Sequence, residues 1–354
     1  MPCGRPRVPW RARSVAAASR AVRRARTRAG PRSGVDDAAV AVAVRGPPLR
    51  AAPAARSAAD YNRGVPVSSP VPSAAASTGL RIEPLTPAIG AEVSGVDLAR
   101  PLDDAALDAL RGAWARHLVL FFRDQDLTFE QHKALGRRFG ELHIHPAAPK
   151  DAEHPEILVV HGDNKVEFVA GSVWHSDVSC DVEPPMASML RVVEVPSSGG
   201  DTLFASMYAA YEGLSDRMQR MLCGLTAVHE GEQYYRGRYG AGDLRDGSYP
   251  SAEHPVIRTH PVTGRPALYV NEGFTTRIKE LPLAESDALL AFLFRHCARP
   301  DYHCRFQWRA NSIAFWDNRC TQHLAIWDYY PETRHGYRVT IQGDAPFYDP
   351  DRRP

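Results

Sequence analysis

From Leu80 onward the apolar residues of this 354-residue chain come in short runs separated by turn formers, and that pattern restricts it to a fold built mostly of short strands. Leu80-Arg81-Ile82-Glu83-Pro84-Leu85 alternates as a strand does, and Gly90 to Val96 reads as a second strand. Leu118-Val119-Leu120-Phe121-Phe122 is apolar throughout and is expected to be buried on both faces. Ile157–Val160, Met186–Val195, Ala267–Asn271, Ser312–Trp316 and Tyr337–Ile341 are further strands. Helices are expected after Pro101, where Ala106, Leu107, Leu110 and Trp114 fall at helical spacing, and over Thr128–Phe139, Met207–Leu225 and Glu285–Cys297. Thr128 and Gln131 have the spacing of a capping box. Residues 229–254, rich in Gly, Tyr and Arg, read as a long loop or lid. The predicted class is mainly β with peripheral helices, a double-sheet core of jelly-roll type.

Residues 1–78 are of another kind. They consist largely of Ala, Arg, Pro and Ser, with 14 arginines, no lysine and three acids, a net charge of +11. A segment with so little apolar surface cannot offset its ordering entropy, so disorder is expected there and one domain over 79–354. Its composition suits a transit peptide, a basic interaction tail or an extension without a role, and it lacks the apolar core of a secretory signal. The remainder carries −9, which argues against nucleic-acid binding by the domain. No apolar run is long enough to span a membrane. The six cysteines form no C-x-x-C pair and read as reduced thiols, which points to the cytoplasm. A homo-oligomer is the expected assembly.

The chemistry concentrates in a few motifs. In Trp174-His175-Ser176-Asp177 the His and Asp, two positions apart, would share one face of a strand and could reach one metal ion. With His323 they make two imidazoles and one carboxylate, the set that holds non-haem Fe(II) on one side and leaves positions open on the other. Arg334 follows His323 by eleven residues and Arg338 comes four later. A guanidinium is a fixed fork suited to a carboxylate, as a keto-acid chelating iron through its other end requires. Thr202, in Gly199-Gly200-Asp201-Thr202-Leu203, could add a hydroxyl.

Leu80 to Tyr348 resembles the taurine dioxygenase family of Fe(II)- and 2-oxoglutarate-dependent oxygenases. The resemblance rests on Phe139 to Pro146, Trp174 to Val178, Gly199 to Leu203, His254 to Pro261, Val270 to Ile278, and Trp316 through His323 to Asp344. It implies a double-stranded β-helix, iron on His175, Asp177 and His323, 2-oxoglutarate held by Thr202 and Arg334, and O2 as co-substrate. It also implies a small anionic substrate gripped by His145 and Arg338, with Phe274 lining the pocket. The expected reaction hydroxylates the carbon next to a sulfonate and releases sulfite, aldehyde, succinate and CO2. Two positions depart from the family's taurine pocket, Ala148 and Gly171, where the family carries Tyr and Asn. Their small size predicts a roomier, less polar pocket that suits a longer alkylsulfonate, an alkyl sulfate or a carboxylate such as an aryloxyalkanoate. Tyr234, Tyr235 and Tyr239 are expected to close over it. A β-helix binding protein without turnover is the reading from another class. His143, His229, His254, His260 and His335 read as structural, Asp317 as support for the fold or the site, and Cys180 as a small core residue.

Overall fold

The computed structural model describes residues 79–351 apart from 147, 149–151, 167, 168, 170 and 238–247. The disorder expected of residues 1–78 and the lid role of Tyr239 lie outside the described residues. The main sheet runs, in spatial order, β1 (Arg81–Pro84), β2 (Ala91–Ser94), β3 (Val119–Phe122), β14 (Ser312–Asp317), β6 (Ala187–Glu194) and β16 (Arg334–Ile341). The far side of β16 is shared by β4 (Leu142–His143) and β5 (Ile157–Gly162). Every pairing is antiparallel except that of β2 with β3. A second sheet places β7 (Thr202–Ser206) between β13 (His303–Phe306) and β15 (Thr321–Ala325). Two small sheets complete the β structure of the described residues: β9 (Ser251–Pro255), β8 (Thr226–Glu230) and β12 (Thr275–Ile278) in one, β10 (Ile257–Thr259) and β11 (Pro266–Leu268) in the other.

Strand alternation explains the two cores. Val119 and Phe121 point toward the second sheet, where Phe121 stacks on Phe306 at 4.0 Å and meets Phe204 edge-on at 5.5 Å. Leu120 and Phe122 point the other way, onto α1 (Asp104–His117) and α2 (Phe129–Arg137). A strand covered on both faces has no polar side, so β3 is apolar throughout. The two sheets thus face each other across one core in jelly-roll fashion, with helices over the outer face of the larger. Asp103 caps α1 by accepting from the Ala106 N–H at 2.7 Å. The capping box of Thr128 and Gln131 on α2 is present in both directions. Trp114 of α1 stacks on Phe315 of β14 at 4.5 Å and ties helix to sheet. We expect Phe315→Ala to lower unfolding free energy by about 3–5 kcal/mol, read by denaturant titration. A loss under about 1 kcal/mol would mean that α1 is held by other contacts.

Several expectations need correction. The helix expected over Met207–Leu225 is two, α3 (Met207–Glu212) and α4 (Asp216–Leu222). Gly213 ends the first beneath the Tyr302 hydroxyl, which leaves no room for a side chain there, and the Ser215 side chain caps the second. The stretch 229–254 is not all loop. It contains the end of β8, the short α5 (Glu232–Tyr235) and most of β9, which pairs with β8. The strand expected over Ala267–Asn271 is β11, which stops at Leu268 because Asn271 is drawn into a turn, its side chain accepting from the Phe274 N–H at 2.9 Å. The helix expected over Glu285–Cys297 is α6 (Leu283–Cys297).

Candidate active site

His175, Asp177, His323, Thr202, Arg334, His145, Phe274 and Arg338 all line one cavity of about 70 Å3 between the two sheets. Residues from distant parts of the sequence meet there because β16 crosses the main sheet, while β7 and β15 cross the second. On β16 the even-numbered Arg334 and Arg338 are buried toward the cavity, and His335 and Tyr337 between them face outward.

The His-x-Asp motif is not a strand. His175 makes a single antiparallel bridge to His323, with main-chain bonds of 3.1 and 2.8 Å, and a turn begins at Asp177. It is this turn, with Val178 at φ 48°, that swings Asp177 beside His175. The ligand atoms of His175, Asp177 and His323 lie within 4.8 Å of one another. His175 Nε2 and His323 Nε2 stand 3.8 and 3.9 Å from Asp177 Oδ1. His175 Nδ1 lies 2.8 Å from the Val173 carbonyl. A carbonyl can only accept, so Nδ1 carries the proton and Nε2 keeps its lone pair for a metal. Burial lowers the pKa of His175 and puts that of His323 well below the ordinary imidazole value, so both rings stay neutral. Burial would raise the Asp177 carboxyl, but the Arg338 guanidinium, helped by the Ser188 hydroxyl, opposes it and holds the group ionised.

Asp177 is held by Ser188 and Asn318, which the sequence did not single out, and by Arg338. The Ser188 hydroxyl donates to Oδ2 at 2.7 Å. Asn318 accepts from the Asp177 N–H at 3.3 Å and from Trp316 Nε1 at 2.9 Å, and donates to Ser188 Oγ at 3.2 Å. Arg338 donates to Asp177 Oδ1 at 2.5 Å. Such outer hydrogen bonds fix the direction of a ligand's lone pairs.

Arg334 is buried, and no carboxylate among the described residues pairs with it. It donates to Thr202 Oγ1 at 3.3 Å, lies 5.2 Å above the Trp308 ring, and its Nε has no partner among the described residues. Asp201, the acid that bears on its charge, is bound to Arg305 at 2.6 Å. Burial lowers Arg334 to about 10, still charged at neutral pH. Trp308, absent from the sequence reading, donates to Thr202 Oγ1 at 3.0 Å and orients that hydroxyl.

Toward the other wall, His145 meets the Tyr235 ring edge-on at 5.8 Å, and Phe274 packs on Tyr234 at 4.6 Å. Phe274 is both core and lining. Tyr234 and Tyr235 line the cavity too. The expected roominess needs correction at one of the two positions. Ala148 is buried but is not among the residues lining the cavity. Gly171 lines it, but at φ +90°, a backbone conformation that favours glycine, with its N–H donating to the Tyr234 hydroxyl at 2.8 Å. A side chain there would start in ordinary contact with His175 Cε1 at 3.4 Å and the Ala325 Cβ at 3.5 Å.

A second buried group, His260, Asp317 and Cys320, also brings its ligand atoms within 4.8 Å. Arg319 takes both oxygens of Asp317, at 2.9 and 2.7 Å, and His260 lies 3.1 Å from one of them. That carboxylate is committed to holding the turn between β14 and β15, which agrees with its reading as support. No helix of the described residues is long and apolar enough to cross a membrane.

Residues 81–340 match the family described as "Taurine catabolism dioxygenase TauD, TfdA family". The chain is 34% identical over 283 residues to an alpha-ketoglutarate-dependent sulfonate dioxygenase of Saccharomyces cerevisiae, covering 76% of this chain and 68% of that one. It is 36% identical to an alpha-ketoglutarate-dependent sulfate ester dioxygenase of Pseudomonas putida, covering 75% and 91%. The solved structure of a taurine dioxygenase from Burkholderia xenovorans superimposes with a TM-score of 0.67 at 39% identity, over 78% of this chain and 93% of that one. With the fold, the cavity and these likenesses in agreement, the chain belongs to the taurine catabolism dioxygenase TauD, TfdA family.

Proposed function

We propose that the protein is an Fe(II)- and 2-oxoglutarate-dependent dioxygenase that oxidises the carbon next to a sulfonate or sulfate ester, with iron on His175, Asp177 and His323. Dependence on 2-oxoglutarate and O2 is the family's. The reading of the substrate rests on charge. Two buried arginines and one buried carboxylate line the cavity. A dication on Asp177 would leave three positive charges out of water, which must be compensated. A keto-diacid supplies two negative charges, and a singly charged sulfonate or sulfate supplies the third.

Bound Fe(II) would couple oxidative decarboxylation of 2-oxoglutarate, giving succinate and CO2, to replacement of a substrate C–H by C–OH. The protein's part is position. His175 offers Nε2 because Val173 holds the proton on Nδ1, and Ser188 and Asn318 keep Asp177 aimed. Arg334 and the Thr202 hydroxyl would take the distal carboxylate of 2-oxoglutarate. Arg338, with an N–H from His145, would take the substrate anion. The apolar walls, among them Leu158, Val160, Leu190, Phe204 and Phe274, exclude water and suit an alkyl chain. A hydroxyl on a carbon bearing sulfonate collapses to aldehyde and sulfite, and the corresponding sulfate ester gives aldehyde and sulfate. The sulfate reading has its own support in the Pseudomonas putida relative. A homo-oligomeric assembly belongs to this proposal, as does a cytoplasmic location, which fits the free, mostly buried cysteines among the described residues.

Arg338→Met tests the anion grip, since it keeps length and loses charge. Stimulation of succinate release by the anionic substrate should fall about 10²-fold or more in kcat/KM, with a much smaller change in the KM for 2-oxoglutarate. Unchanged stimulation would place the substrate anion elsewhere.

A further inference from the structure

On the outer face of the main sheet, away from the cavity, two imidazoles lie across neighbouring strands. His161 of β5 and His335 of β16 are directly opposed in the antiparallel register. Their Nδ1 atoms are 3.0 Å apart. We propose that His161 and His335 form a second transition-metal site, selective for Cu(II) or Ni(II), that clips the edge strand β5 to β16.

With metal–nitrogen bonds of about 2.1 Å, a 3.0 Å separation corresponds to a right angle at the metal, whereas a tetrahedral site would need about 3.4 Å. A right angle is the adjacent-ligand geometry of tetragonal Cu(II) and Ni(II) rather than of Zn(II). Asp163 sets the tautomer of His161. Its carboxylate is anchored by the Lys165 and Val166 N–H groups at 2.8 and 3.2 Å and lies 3.3 Å from His161 Nε2. With Nε2–H directed at that carboxylate, His161 Nδ1 keeps a lone pair. In the metal-free pair His335 Nδ1–H donates to it, and a metal would take that proton's place as His335 shifts its proton to Nε2. The Tyr337 ring holds His335 edge-on at 4.9 Å. Glu194 of β6 is opposite His335 on its other side and brings negative charge to the pair. His161 is 39% exposed, so a hydrated ion can reach it. Fe(II) stands below Cu(II) and Ni(II) in affinity for imidazole, so the clip does not compete with the candidate iron site for its own metal.

Nickel titration calorimetry of the full chain carrying His175→Ala and His323→Ala together, which leaves the candidate iron site a single donor, reads the clip alone. One Ni(II) should bind. Adding His335→Gln or, separately, His161→Gln should weaken binding about 10²-fold, the loss of a chelate partner. In the otherwise unmodified chain the same two variants should remove one of two bound Ni(II) and leave Fe(II)-dependent succinate release intact. Equal Ni(II) affinity and stoichiometry with and without His335→Gln and His161→Gln would overturn the proposal, as would a single bound Ni(II) lost when His175→Ala and His323→Ala are combined.

Discussion

Replacing His175 by alanine should abolish Fe(II)-dependent succinate formation. The loss should exceed the roughly 10–100-fold that removal of an outer hydrogen-bond partner costs a metal site, because a donor atom disappears. The neighbours set a scale. Ser188→Ala leaves all three donors in place but removes the 2.7 Å bond to Asp177 Oδ2, so it should weaken Fe(II) binding by about 10–100-fold and allow partial rescue by excess metal. Asp317→Asn disturbs a carboxylate 2.7–3.1 Å from Arg319 and His260, outside the cavity, and should lower stability while leaving Fe(II) affinity near its starting value. Retained turnover in His175→Ala would remove His175 from the ligand set. An equal loss of Fe(II) affinity in Asp317→Asn would mean that the second buried cluster is the metal site.

Arg334→Met should change two quantities in opposite directions. An unpaired buried cation is a cost to the fold, and an apolar side chain of similar length relieves it. The variant without 2-oxoglutarate should therefore be as stable as the parent or more so. Its KM for 2-oxoglutarate should rise at least about 10²-fold, the range seen when one partner of a buried charge pair is removed, and the thermal stabilisation by 2-oxoglutarate should vanish. A variant destabilised by about 2 kcal/mol or more with its 2-oxoglutarate KM unchanged would make Arg334 a structural cation.

How much of this could be read from the sequence follows from how local each feature is. Thr128 and Gln131 announce the start of α2 because a capping box lies within one turn. The both-face burial of β3 shows in its unbroken apolar run. By contrast, β15 reads Thr-Gln-His-Leu-Ala and is buried at four of its five positions. Its polar groups are satisfied across the core, for example Gln322 donating to the Val270 carbonyl at 2.7 Å, so no alternation marks it as a strand. The break at Gly213 depends on Tyr302, far along the chain. The same division holds at the site. Side chains with ionisable chemistry stand out by type and spacing, and His175, Asp177, His323, Thr202, Arg334, His145, Phe274 and Arg338 do line one cavity. Ser188, Asn318 and Trp308 are ordinary residues whose importance comes from long-range hydrogen bonds to Asp177 and Thr202. At Gly171 the sequence shows a small residue but not its backbone, which at φ +90° favours glycine whatever the space around it.

Action of a 2-oxoglutarate-dependent iron site on an anion bearing sulfur is tested most directly by succinate release from 2-oxoglutarate with Fe(II) and ascorbate, over a panel of alkylsulfonates, alkyl sulfates and carboxylates, with sulfite and sulfate assayed alongside. Strong stimulation by a sulfur-containing member, with sulfite or sulfate formed in step with succinate, is the predicted result. Stimulation confined to carboxylates, with neither sulfur anion formed, would contradict it.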